Sequence, residues 1–237
     1  MQNVYATITA TIRSGRKMLV RLIDPDKADV STICDGFDFY FVGGSTAADC
    51  TSVVRAIHAA CTTPVVLFPG HPSQFTPEAV ALLFLTLMNS RDPRYLLDWQ
   101  MQSAGVVAES GIESIPMGYV LIDGGRQSAT QRMTGARVVA RDDVPTAVRM
   151  AQTAELTGKR LVYLEAGSGA ATPVPEPMIS AVKQAIHVPL IVGGGICSPE
   201  QMYKAFAAGA DIVVVGNHFE RHPEDIKNFI EPLSKLP

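Results

Sequence analysis

Cysteine is scarce in this chain. Four thiols among 237 residues, Cys34, Cys50, Cys61 and Cys197, lie far apart, with no CxxC pair and no histidine at metal-site spacing. Neither a disulfide framework nor a zinc site is expected, and the cysteines read as reduced thiols in a cytoplasm. Long hydrophobic runs are missing too. The longest, residues 79–88, is interrupted by Thr86 and falls short of the roughly 18 apolar residues a membrane span needs. The first residues lack the charged-then-apolar pattern of a signal peptide, so none is expected. There is little excess charge of either sign: 20 basic and 23 acidic side chains leave a net −3, which offers no broad cationic field to nucleic acid or acidic lipid. Any anion must therefore be gripped locally. No stretch rich in Pro, Gly or Ser divides the chain, and residues 1–237 are expected to form a single domain.

What is present, with 47% hydrophobic residues, is a recurring alternation. Short apolar runs at residues 18–24, 37–42, 64–68, 82–87, 118–122, 160–165, 189–192 and 211–215 read as strands. Leu190-Ile191-Val192 and Ile212-Val213-Val214-Val215 are continuous rather than alternating, as strands buried on both faces should be. Helical periodicity fills residues 51–60, 94–109, 144–156, 177–186, 199–208 and 223–233, with a further short helix at 4–14. Ser198 before Pro199 and Asp143 before Val144 are start signals, and Gly158 is a stop. Eight β/α units in this length predict an α/β fold, the (β/α)8 TIM barrel, over a doubly wound open sheet. The third helix is the exception: Gly70-His71-Pro72-Ser73-Gln74-Phe75-Thr76 has the composition of a loop.

Chemistry in such a barrel belongs at the C-terminal ends of the strands. There the chain places Asp24-Pro25-Asp26-Lys27, Gly43-Gly44-Ser45, Glu165-Ala166-Gly167-Ser168-Gly169, Gly193-Gly194-Gly195 and Gly216-Asn217. Glycines after strands seven and eight let a phosphate approach backbone amides, although such glycines also simply turn the chain. Asp24 can offer Mg²⁺ a hard oxygen beside substrate phosphates, and Ser45 a hydroxyl. An ordinary Asp-Pro turn with Lys27 paired to a carboxylate, and a glycine-serine turn capping the next helix, explain the same residues. Glu165 closes the apolar run Leu161-Val162-Tyr163-Leu164, where desolvation would raise its pKa toward that of a general base. Tyr163 shares its face and can bond a phosphate or hydroxyl, or pack in the barrel. Residues 82–88 and 95–101 read first as core packing, with Trp99 equally suited to a subunit contact, and they are also the candidates for a groove should the ligand carry a long apolar chain.

These motifs occur in an order that resembles the geranylgeranylglyceryl phosphate synthase family, which includes the bacterial heptaprenylglyceryl phosphate synthases. The matching runs are Leu22-Ile23-Asp24-Pro25-Asp26-Lys27, Phe41-Val42-Gly43-Gly44-Ser45, Asn89-Ser90-Arg91-Asp92-Pro93-Arg94-Tyr95-Leu96, Tyr163-Leu164-Glu165-Ala166-Gly167-Ser168-Gly169-Ala170, Val192-Gly193-Gly194-Gly195-Ile196 and Val215-Gly216-Asn217. The resemblance implies Mg²⁺-dependent transfer of a long isoprenyl group from a prenyl diphosphate to the C3 hydroxyl of sn-glycerol 1-phosphate. By it, Asp24 and Ser45 bind Mg²⁺. Tyr163, Leu164, Glu165, Ala166, Gly167, Ser168, Gly169, Gly194, Gly195, Gly216 and Asn217 hold glycerol 1-phosphate, and Glu165 takes the hydroxyl proton. It also implies a barrel whose third helix is replaced by a non-helical segment, and a homo-oligomer, either a dimer or a hexamer of dimers. Some members carry lysine two residues before the metal-binding aspartate, where this chain has Leu22. Two other readings use the same phosphate loops: a different phosphate-handling barrel isomerase or lyase, and a non-catalytic phosphometabolite-binding protein.

Overall fold

A computed structural model describes residues 3–46 and 48–233. Strands β1 (Met18–Ile23), β2 (Phe39–Val42), β3 (Val65–Leu67), β4 (Ala81–Leu87), β5 (Glu113–Leu121), β6 (Leu161–Glu165), β7 (Leu190–Gly193) and β8 (Ile212–Val215) pair in sequence order, all parallel. Met18 through Arg21 pair with Ile212 through Val215, which closes β1 on β8. The sheet is therefore the expected barrel and not an open one.

Because successive side chains in a strand point to opposite faces, each strand feeds two cores. In β6, Leu161 and Tyr163 join Met18, Val20, Ile191 and Ile212 inside the barrel. Val162 and Leu164 instead join Ile179 and Val182 beneath the outer helices. Helix α1 (Val4–Arg13) adds Val4 and Ile8 to the inner core, and Glu113, at the start of β5, accepts the amides of Val4 and Tyr5. The N-terminal end of the barrel is thereby covered, leaving the opposite end for ligands.

The outer layer is α2 (Thr51–Ala60), α3 (Trp99–Ser110), α4 (Ala129–Thr134), α5 (Val144–Leu156), α6 (Glu176–Ala185), α7 (Pro199–Ala207), α8 (Asn217–Arg221) and α9 (Ile226–Leu233). Asp143 and Ser198 cap α5 and α7 through side-chain oxygens, as their positions predict. Three features depart from the sequence expectations. Strand β5 starts at Glu113, five residues before residue 118, because β4 offers it pairing partners from Ala81 onward across a stretch that contains Pro116. The short helices α4 and α8 have too few turns to show a period. Residues Arg94–Asp98 form one π-helical segment leading into α3. No helix among the described residues is long and apolar enough to cross a membrane.

Between β3 and β4 only a 3₁₀ turn, Pro72–Gln74, stands where a third helix would be. Gln74 anchors it. Fully buried, its side chain accepts the Gly70 amide at 2.8 Å and donates to the Thr46 carbonyl at 2.8 Å, which ties the loop after β3 to the loop after β2. The missing helix thus exposes the flank of β4 to the space beneath α3.

Candidate active site

The loops at the C-terminal ends of the strands enclose a cavity of about 490 Å³. Asp24, Ser45, Tyr163, Glu165, Gly167, Ser168, Gly169, Gly194, Gly195, Gly216 and Asn217 all line it, so eleven of the thirteen residues predicted for the site come together. Leu164 and Ala166 do not. Both are buried with the outer core, because strand alternation turns them away from the residues on either side.

Glu165 is the centre of the arrangement. It ends β6 on the inner face, is 6% exposed, and its Oε1 accepts the Gly167 amide at 2.7 Å. Burial pushes its carboxyl up to about 7, against the opposing influence of the Tyr163 phenol and the Gly167 amide. Proton uptake near neutrality is what a general base requires. Tyr163 lies fully buried beneath it, its own pKa raised by burial and by the charge of Glu165. The Tyr163 hydroxyl is sealed from solvent and makes no well-formed hydrogen bond among the described residues, and its influence on Glu165 is that of a neighbouring phenol. Gly194 explains why glycine follows β7: its φ is +80°, and a Cβ there would come within 2.4 Å of Glu165 Oε1.

The glycine loops after β7 and β8 open onto the cavity. Gly194 and Gly195 both take left-handed backbone angles, +80° and +71°, which glycine adopts without strain, and both line the cavity. Ser168 Oγ donates to Asn217 Oδ1 at 2.6 Å, joining the loop after β6 to the loop after β8. Asn217 in turn donates to Glu220 Oε2 at 3.2 Å. The Gly167 amide is engaged by the Glu165 carboxylate.

Asp24 caps the 3₁₀ turn Pro25–Lys27, accepting the Asp26 amide at 3.2 Å on Oδ1 and Lys27 Nζ at 2.8 Å on Oδ2. The paired Asp-Pro turn and the cavity-facing carboxylate are therefore both present. A Cβ on Gly44 would lie 2.8 Å from Asp24 Oδ1, so glycine there keeps the carboxylate from being crowded out. Ser45 follows it and does not cap α2, whose N-cap is Cys50. Among the described residues no cluster of three acidic, histidine or cysteine side chains could hold a metal. One carboxylate and one hydroxyl fit Mg²⁺, which keeps waters and takes oxygens from substrate phosphates, and do not fit an all-protein cage.

From these polar loops the cavity runs along β4 under α3, past Phe84, Leu85, Trp99 and Val107. Trp99 packs edge-on against Tyr95 and His71, with ring centres 4.7 and 5.0 Å away. Leu97, in the π-helical segment, and Met101, in the first turn of α3, are exposed. Sequence reasoning missed Gln74 and Glu220. A buried glutamine in a loop has no local signature. Glu220 was findable only as the residue one turn beyond Asn217.

A parallel barrel with an amide cradle, a buried carboxylate of raised pKa and an apolar limb defines a phosphate-handling TIM-barrel enzyme. The chain belongs to the PcrB family, whose model matches residues 11–233. A geranylgeranylglyceryl phosphate synthase of Flavobacterium johnsoniae is 37% identical over 234 residues, covering 93% of this chain and 95% of that protein. One from Pyrococcus horikoshii is 42% identical over 218 residues, covering 87% and 85%. The crystal structure of (S)-3-O-geranylgeranylglyceryl phosphate synthase from Thermoplasma acidophilum, in complex with substrate sn-glycerol-1-phosphate, superposes with a TM-score of 0.91. It is 34% identical and covers all of both chains.

Proposed function

We propose that this chain transfers a long, geranylgeranyl-type isoprenyl group from a prenyl diphosphate to the C3 hydroxyl of sn-glycerol 1-phosphate, with Mg²⁺ as cofactor, to form an ether-lipid precursor. The observation that carries the reading is the position of Glu165. A carboxylate with a pKa of about 7 sits in the same cavity as an amide cradle, an aspartate suited to Mg²⁺ and an apolar limb. The names of the relatives support the same chemistry.

Phosphate of the acceptor rests on the amides of Gly194, Gly195, Gly216 and Asn217, with the Ser168 hydroxyl beside them. This leaves the glycerol C3 hydroxyl for Glu165, which is held in place by Gly167. Mg²⁺ at Asp24 and Ser45 would neutralise charge on the leaving diphosphate. The allylic C1–O bond breaks with its electron pair departing on diphosphate, the C3 oxygen forms the ether bond to C1, and its proton passes to the Glu165 carboxylate. The apolar limb along β4 holds the chain and keeps water from the developing cation.

The test is incubation with labelled sn-glycerol 1-phosphate, Mg²⁺ and prenyl diphosphates of increasing length. Label should move into an organic-extractable ether lipid, and chelation should stop the transfer. Label that stays in water with every donor, or full turnover of a phosphorylated sugar in chelator, would defeat the reading and favour an isomerase or lyase.

A further inference from the structure

The corner of the cavity beside Asp24 carries a second carboxylate to which the mechanism above gives no role. Glu220 is half-buried on the same cavity wall as Asp24 and Lys27, and it lies within the electrostatic influence of Lys27, Asp24, Arg221 and Arg21. Burial, followed by the charge of Asp24, raises its pKa, while Lys27 acts in the other direction. Lys27 Nζ lies 2.8 Å from Asp24 Oδ2, and its side chain is 50% exposed on the cavity. The backbone is fixed as well, since the Lys27 amide donates to the Asp24 carbonyl at 2.9 Å within the short 3₁₀ turn.

Two carboxylates would repel an incoming diphosphate, and a lysine ammonium has three donors, of which Asp24 takes one. Position 22, on the neighbouring inner face of β1, offers only a leucine, packed 3.3 Å from where a Cβ on Gly216 would lie. We infer that Lys27 is a substrate-binding residue, its ammonium held by Asp24, with the charge of Glu220 nearby, so that the remaining donors meet the diphosphate of the prenyl donor. Glu220 is then a positioning residue: its charge acts on Lys27, and its carboxylate accepts Asn217 of the acceptor loop at 3.2 Å. This rests on the function proposed above and names a donor contact within it.

Calorimetric titration of the full chain with inorganic pyrophosphate at saturating Mg²⁺, and separately with sn-glycerol 1-phosphate, tests it without turnover. Losing one charge-assisted contact should weaken pyrophosphate binding about tenfold in Lys27→Met, with glycerol 1-phosphate affinity held within about twofold. Lys27→Arg should retain most of the affinity, and Glu220→Gln should lose about threefold for pyrophosphate. Unchanged pyrophosphate affinity in Lys27→Met would overturn the inference. So would tighter binding of Mg²⁺ alone with no loss for pyrophosphate, which would make Lys27 no more than the counter-ion of Asp24. Wild-type protein that binds glycerol 1-phosphate but no Mg²⁺-pyrophosphate would overturn the proposed function along with it, whereas wild-type binding undiminished in Lys27→Met sinks the inference alone.

Discussion

Replacing Glu165 by glutamine should make the protein more stable as it destroys activity. The carboxyl rises from an ordinary 4.5 to about 7 on folding, chiefly through burial. At 1.36 kcal/mol per pH unit, that difference corresponds to roughly 3 kcal/mol. Between these two values the folded protein binds more protons than the unfolded chain. The stability associated with a protonated Glu165 is complete below about pH 4.5 and is lost as pH climbs through about 7. Glutamine never ionises and keeps an oxygen for the Gly167 amide. Urea unfolding of wild type and Glu165→Gln should therefore give similar stabilities near pH 5, and an advantage for the variant of roughly 2 to 3 kcal/mol at pH 8. Transfer should vanish in the variant, and wild-type kcat/KM should rise with pH through about 7 as the base ionises. A stability difference that does not change with pH, or a wild type more stable at pH 8, would refute the assignment of a desolvated base.

Three other perturbations follow from contacts in the site. Asp24→Asn should weaken Mg²⁺-dependent pyrophosphate binding while leaving glycerol 1-phosphate affinity within a few fold, which calorimetry checks. Gly194→Ala would force a Cβ to within 2.4 Å of Glu165 Oε1 at a φ of +80°. Displacing the base by a fraction of an ångström should cut kcat by about a hundredfold in steady-state assays. Gln74→Leu removes the side-chain bonds that hold the non-helical segment and leaves the half-buried Gly70 amide without this partner. Urea unfolding should show a loss of roughly 3 kcal/mol.

The barrel was readable because its strands are buried on both faces, so β7 and β8 appear as uninterrupted apolar runs ending in glycine. Glu165 was readable for the same reason, as a lone charge closing the apolar run of β6. Leu164 and Ala166 were drawn into the predicted site by a contiguous motif, although strand alternation sends them to the outer core. Gln74 and Glu220 were not readable, because their roles arise from partners elsewhere in the chain: Thr46 for the first, Lys27 and Asp24 for the second. The early start of β5 depends on pairing with β4, which no local pattern records.

A structure of the ternary complex with sn-glycerol 1-phosphate, Mg²⁺ and an unreactive thiodiphosphate analogue of the prenyl donor tests the central claim most directly. The account predicts phosphate on the amides of Gly194, Gly195, Gly216 and Asn217, the C3 hydroxyl within hydrogen-bonding reach of Glu165, and the diphosphate beside Asp24 with its chain running under Trp99. A phosphate bound elsewhere, or a C3 hydroxyl pointing away from Glu165, would contradict it.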